Sequence, residues 1–245
     1  NSAAEAVFSV AAPAAEPEAA AWLLPEQPLL CPIGRLDKDT SGLILVAKNK
    51  YAAQQLEGQR ASHTLSRVYL ALTEGHWSNQ SKSGLINRPI EKVPDCFNRY
   101  QVSDAGRPSR TEYEVLSEFT YEETPFSLVR LKLQTGRTHQ IRVHMASLSH
   151  PLLGDSIYGH AGFLGFDRAA LHSFEITCQL PGCQEATVFS SEMPEDFQKM
   201  IAKSINFSST LFDNAIIIHE KNSGFPLHSS ENPETSYLLF DFCNV

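Results

Sequence analysis

The sequence predicts an α+β fold built on a mixed, mostly antiparallel sheet with a few flanking helices. Three observations predict it. Stretches with strand character outnumber helical ones, most follow one another through short turns, and no steady strand–helix alternation runs along the 245 residues. No regular repeat is visible, and a chain of this length can bury a sizeable core in one large domain with linkers.

Residues 1–30 are rich in Ala, Pro and Glu and poor in aromatics, the composition of a lead or linker. The run LILVA from Leu43 reads as a buried strand after a turn. Asn49 is placed to cap a short helix over YAAQQLEGQ. RVYLALTEG is a β-rich stretch ended by Gly75, and TEYEVLSEF and FSLVRLKLQTG alternate as half-buried strands do. In HQIRVHMASLS, Ile141, Met145 and Leu148 fall at helical spacing, and His150-Pro151 ends the run. AALHSFEITCQL and EATVFSS read as a strand pair. PEDFQKMIAK opens on Pro and acids and closes on Lys, the charge order a helix favours.

Composition narrows the function classes. With 42% hydrophobic and 20% charged residues the chain has ordinary globular character, and no stretch approaches the roughly 18 apolar residues of a membrane span. The first twenty residues lack a basic start followed by an apolar core, so no secretory signal is expected, and a chain opening on Asn1 fits a processed or excerpted piece. The net charge of −8 speaks at first against a polyanionic partner. Between Pro32 and His160, however, 16 Lys+Arg stand against 13 Asp+Glu, while the remainder holds 4 basic and 15 acidic residues. The acidity sits in the tails, and the middle is free to face nucleic acid through a local basic cleft. Five cysteines (Cys31, Cys96, Cys178, Cys183, Cys243) are scattered without a CxxC pair. That spacing argues against a zinc site or a disulfide framework and for buried free thiols in a reducing compartment, hence a cytoplasmic protein.

Two motifs carry chemistry. In GRLDKDTSGLILVA, residues 34–47, DKDTSG offers oxygens at positions 1, 3 and 5 and Gly at 6, as a calcium loop does. Position 12 is Lys48 where that loop needs a bidentate Glu, and LILVA is no helix, so the calcium reading fails. Asp39, Thr40 and Ser41 suit a turn, because each hydrogen-bonds its own backbone readily. The second motif, LQTGRTHQIRVHM, residues 133–145, passes from strand through a Gly turn into a helix. Its histidines are spaced i, i+5 with no acid between, which excludes an HExxH metal helix. Arg142 lies near the border of the apolar face, where an arginine needs a buried anion; an ionised aspartate is the natural partner.

GRLDKDTSGLILVA, SRVYLALTEG and LQTGRTHQIRVHM with HPLLGDSIYG resemble the three signature blocks of the RluA/RsuA-type pseudouridine synthases, in family order and at family-like spacing. NRYQVSDAGRPSRTEYEVL and ALHSFEITCQLP...MPEDFQ are similar to the RluA branch, whereas Gly34 before RLD resembles the RsuA group. The resemblance covers roughly residues 31–203 and implies the catalytic domain of that family, acting on structured RNA, ribosomal or transfer, as a monomer without metal or cofactor. It implies that Asp37 is the catalytic carboxylate, attacking or stabilising sugar or base, with Arg142 beside it. Tyr69 matches the active-site tyrosine, and Arg35 matches an arginine that enters the helix stack where the target base leaves. Arg137, His139 and Gln140 would shape the pocket, bind phosphate or support the turn, and Asn98 and Arg99 would form an RNA-facing loop. The rival within the fold is an RNA-binding or RNA-chaperone module that has lost activity.

Family members carry a strand pair and a Lys-Pro-x-Gly motif before the RLD block, and residues 1–30 contain nothing like it. TLFDNAIIIHEKNSGFPLHSS, within residues 204–245, resembles it, with Asn222 in place of the Pro. The chain is then either circularly permuted or an excerpt of a tandem protein. Because unpaired sheet edges are costly, the segment around Ala215 to His219 is expected to pair as a strand in the catalytic sheet.

Overall fold

The computed structural model describes residues 6–8, 30–78, 80–206 and 237–242. Among them, ten strands make one sheet and two more make a separate ribbon. The elements run β1 (Ala6–Phe8), β2 (Cys31–Pro32), β3 (Ser41–Ala47), α1 (Lys50–Ala61), β4 (Ser66–Glu74), β5 (Ser83–Asn87), β6 (Ile90–Lys92), β7 (Tyr100–Val102), β8 (Arg110–Tyr121), β9 (Thr124–Leu133), α2 (Gln140–Ser147), β10 (Leu171–Gln179), β11 (Ala186–Ser190), α3 (Glu195–Asn206) and β12 (Tyr237–Phe242). The large sheet is ordered β1-β12-β3-β10-β4-β9-β8-β5, with β11 beside β10 and β2 beside β3. All pairings are antiparallel except β3 with β10. The architecture is α+β, as the sequence predicts.

The sheet centre is apolar because both of its faces are covered. On one face Tyr69 and Ala71 of β4 pack with Val129 and Leu131 of β9 against Ile141 and Met145 of α2. On the other, Leu70, Leu72, Phe126 and Leu128 meet Phe197 and Met200 of α3. Alternate residues of one strand thus serve two helices, which is why β4 reads as a continuous apolar run. A third cluster joins Leu43 and Leu45 of β3 to Ala52 and Leu56 of α1. That helix begins where Asn49 accepts a hydrogen bond from the Ala52 N–H at 2.8 Å, the predicted cap.

One close approach places the two motifs together. β3 and β10 meet in parallel only at His172 with Ser41 and Ser173 with Gly42, and Ser173 is also the partner of Tyr69 across β10 and β4. Gly42 has φ +95°, and a Cβ there would lie 2.2 Å from the Ser173 carbonyl oxygen, so only glycine fits. Five residues before this contact stands Asp37.

Several expectations need correction. The three-residue strand Ala6–Phe8 falls inside the lead read as linker and pairs with β12. Residues Tyr237–Phe242 of the tail pair antiparallel along β3, Leu239 opposite Leu45; the segment Ala215 to His219 lies outside the described residues. The thiols are not uniformly buried: Cys178 is, Cys31 and Cys183 are half-buried, and Cys96 is exposed in the β6–β7 turn. Among the described residues no helix is long and apolar enough to cross a membrane.

Candidate active site

A cleft of about 370 Å³ opens between the turn before β3, the start of β4 and the turn that leads from β9 into α2. Arg35, Asp37, Arg67, Tyr69, Gly136 and Arg137 are among its lining residues. The turn holding Asp37 closes through a 3.1 Å hydrogen bond from the Thr40 N–H to the Asp37 carbonyl, with Asp39 in the left-handed region at φ 68°. Ser41 does not serve the turn: its hydroxyl bonds His172 Nδ1 at 2.9 Å inside the sheet. Asp37 is half-buried, and its carboxylate makes no hydrogen bond among the described residues. Arg35 is exposed at the cleft rim.

Tyr69 is 4% exposed. Burial pushes its phenol above the ordinary value and the neighbouring Asp37 charge adds to this, while Arg67 and Ser173 beside the hydroxyl pull it down without reversing the shift. The hydroxyl therefore meets any ligand protonated.

The turn into α2 is held by Gln140, which is buried. Its carbonyl oxygen accepts from the Thr135 hydroxyl at 2.8 Å and from the Arg137 N–H at 3.0 Å, and its amide donates to the Arg110 carbonyl and the Thr111 hydroxyl, each at 2.9 Å. With those bonds made, Gln140 supports the turn and has no donor left for a ligand. Arg137 is exposed and leans on the Pro108 carbonyl at 3.3 Å. His139 adopts φ 55°, ψ 21° at the start of α2, and its Nδ1 lies 2.9 Å from the Tyr158 hydroxyl. Burial lowers the pKa of that imidazole, and Asp37 and Arg142 are both near enough to act on it.

Arg142 is where the sequence reading and the structure part. It is 7% exposed and does have a buried carboxylate partner, but the partner is Asp155. Nε reaches Oδ2 at 2.6 Å and Nη2 reaches Oδ1 at 2.7 Å, a fork-to-fork pair. Oδ1 also accepts from the Ile157 and Tyr158 N–H groups at 2.9 and 3.0 Å. Burial works against both charges, yet the pairing wins: the Asp155 carboxyl is held below its usual value and the guanidinium above its own. Asp37 acts on Arg142 only through longer-range charge. Arg142 is thus anchored on Asp155 and makes no hydrogen bond to Asp37 among the described residues. Asp155 and Tyr158 escaped the sequence reading although both stand in the quoted block HPLLGDSIYG. The available signal was the buried arginine one helix earlier, which demanded an acid.

Asn98 and Arg99 are exposed in the turn between β6 and β7 and do not line the cleft. Their ribbon nonetheless borders it, since the Tyr100 N–H donates to the Tyr158 hydroxyl at 2.9 Å and the Tyr100 ring meets His139 edge-on at 5.6 Å. Among the described residues, no three His, Cys, Asp or Glu side chains gather to hold a metal ion.

Comparison with known proteins follows the same lines. Residues 9–147 match the family model described as RNA pseudouridylate synthase. The chain is 41% identical over 168 residues to "Uncharacterized RNA pseudouridine synthase YhcT" of Bacillus subtilis, covering 69% of this chain and 54% of that protein. It is 37% identical over 177 residues to "Ribosomal large subunit pseudouridine synthase D" of Nitrosomonas europaea, covering 69% and 49%. The chain thus spans about half the length of the curated relatives it matches. The solved structure titled "Human RNA Pseudouridylate Synthase Domain Containing 1" aligns with TM-score 0.58 and 31% identity over 66% of this chain and 69% of that one.

Proposed function

Because this chain belongs to the RNA pseudouridylate synthase family, we propose that it isomerises uridine in RNA to pseudouridine at the cleft over Asp37. The observation that carries the reading is the meeting of an unpaired, half-buried Asp37 and a buried Tyr69 in one cleft rimmed by Arg35 and Arg137. The reaction breaks the N-glycosidic bond, turns the uracil and forms a carbon–carbon bond to the same ribose, so it consumes no second substrate. A carboxylate free of hydrogen-bonded partners is available to attack or to stabilise the positive character left on the sugar. Tyr69, protonated, is suited to stack on the uracil and to relay a proton when carbon five loses its hydrogen. Arg35 at the rim can occupy the space the flipped nucleotide vacates. Ribosomal RNA is the first substrate to test, since a relative is named for the large ribosomal subunit; transfer RNA is the second. The reading takes the protein as a cytoplasmic monomer.

The test is pseudouridine formation in bulk unmodified RNA by the protein and by Asp37→Asn. The variant should lose at least about 10³-fold in rate, equivalent to roughly 4 kcal/mol of barrier. Equal pseudouridine yield from both proteins on a proven substrate would sink the assignment and favour a binding module of the same fold.

A further inference from the structure

The wall of the cleft holds a cation that the chemistry above leaves unused. Arg67 stands two residues before Tyr69 on β4, and its guanidinium lies between two glycines from different elements. A side-chain carbon at Gly34 would lie 3.6 Å from Nη1, and one at Gly136 would lie 2.8 Å from Nη2. Its Nε is buried with no hydrogen-bond partner among the described residues. No carboxylate is within ion-pair reach of Arg67 among them; of the two acids that line the cleft, Glu57 is engaged by Arg60 at 2.6 Å and Asp37 makes no ion pair among the described residues. Arg35 and Arg137 flank the same space and likewise pair with no carboxylate among the described residues. A donor left without an acceptor inside the fold is costly, so such an arrangement suits a side chain whose acceptor arrives from outside. A planar guanidinium beside two further arginines matches a phosphodiester, whose two free oxygens accept its paired N–H groups.

We propose that Arg67 forms a phosphodiester-binding subsite for the nucleotide held over Asp37, and that Gly136 is small to leave its guanidinium room. The proposal rests on the cleft being an RNA site. Arg67 also touches the Tyr69 hydroxyl, so the subsite lies next to the place of the base.

The experiment is equilibrium binding of a fluorescein-labelled short oligouridylate over a salt series, in the Asp37→Asn background so that no turnover occurs. A second probe has the same sequence with uncharged methylphosphonate linkages. Arg67→Gln should bind the charged probe roughly tenfold more weakly. Its slope of log affinity against log salt should be shallower by about 0.7, the value of one single-strand phosphate contact. Binding of the uncharged probe should not change. Arg67→Lys should keep the slope and lose part of the affinity, because the charge remains without the fork. Gly136→Ala pushes the Arg67 head aside without removing its charge and should weaken the charged probe alone, at unchanged melting temperature. An Arg67→Gln protein with the wild-type slope, an equal loss on both probes, or a parent protein that does not bind oligouridylate would each overturn the proposal. Binding is read without catalysis, so these results stand apart from the fate of the Asp37 isomerisation test.

Discussion

Asp37 and Asp155 are the same residue type and both act on the charge of Arg142, yet the fold treats them oppositely. Asp155 is fully buried, gripped by both arms of the Arg142 fork and by two backbone N–H groups. Asp37 is half-buried in a cleft with no hydrogen bond to its carboxylate among the described residues. A saturated carboxylate contributes stability and has no lone pair left for chemistry. An unsatisfied one costs stability and keeps its reactivity, the usual trade at an active site. The difference teaches that Arg142 braces the segment after α2 that carries Asp155 and Tyr158, against which His139 at the start of α2 leans, rather than holding Asp37.

The largest effect that can break this contrast is removal of the buried acid. Asp155→Ala strands the Arg142 charge in the interior, and losing one partner of such a pair costs about 3–5 kcal/mol. Chemical denaturation should show that loss, whereas Asp37→Ala should stay within about 0.5 kcal/mol of the parent while abolishing isomerisation. If the two variants unfold at the same denaturant concentration, the division of labour is wrong.

A smaller effect comes from titrating Asp155 rather than deleting it. Its carboxyl is depressed by the Arg142 pair and the two N–H groups against the upward push of burial. A depressed acid contributes stability in full above its unfolded value, near 3.9, and loses that contribution as pH falls through the lower folded value. His144 adds an earlier step: burial lowers its pKa, so folding favours neutral imidazole and stability falls as pH drops below about 6.5. Its ring agrees with that state, Nε2 donating to the Arg88 carbonyl and Nδ1 accepting from Thr111, both at 2.9 Å. Thermal melts from pH 7 to pH 3 should show first the limb of His144 and of His139, whose pKa burial also lowers. The Asp155→Asn variant should show a smaller acid limb below pH 4 than the parent, the remainder coming from acids such as Glu118, which Lys82 holds below its usual value.

Much of this was legible in the sequence, and the reasons follow the range of the interactions. The long strands β4, β8 and β9 announce themselves through runs and alternation, and α1 through its Asn49 cap, because those signals are local. β2, β5, β6 and β7, of two to five residues, are too short for a period to register. The need of Arg142 for an anion is local as well, since it follows from helical spacing. Which acid answers is not, because Asp155 comes under α2 only through a turn in which Gly154 has φ +69° and the backbones of Phe166 and Arg168 crowd its Cβ position. The pairing of Tyr237–Phe242 with β3 links residues almost two hundred positions apart, beyond any periodicity.

The tyrosines offer the finest test of the same contrast. Tyr158 is saturated as Asp155 is: its hydroxyl accepts from the Tyr100 N–H and bonds His139, its ring lies 5.1 Å from the Arg142 guanidinium, and burial pushes its pKa up to about 12. Tyr69, although buried, lines the cleft with Asp37. Tyr158→Phe keeps the ring and removes one hydroxyl, stranding the Tyr100 N–H, and should cost about 1 kcal/mol of stability. Its isomerisation rate should fall less than about threefold, since nothing facing the substrate changes. Tyr69→Phe should do the reverse, with stability within about 0.5 kcal/mol of the parent and a rate lower by roughly 10²-fold or more if the hydroxyl relays the proton at carbon five. Parallel melts and single-turnover rates on one RNA decide between them. A Tyr69→Phe protein with the parent's rate would leave the ring its stacking role and pass the proton to another group in the cleft.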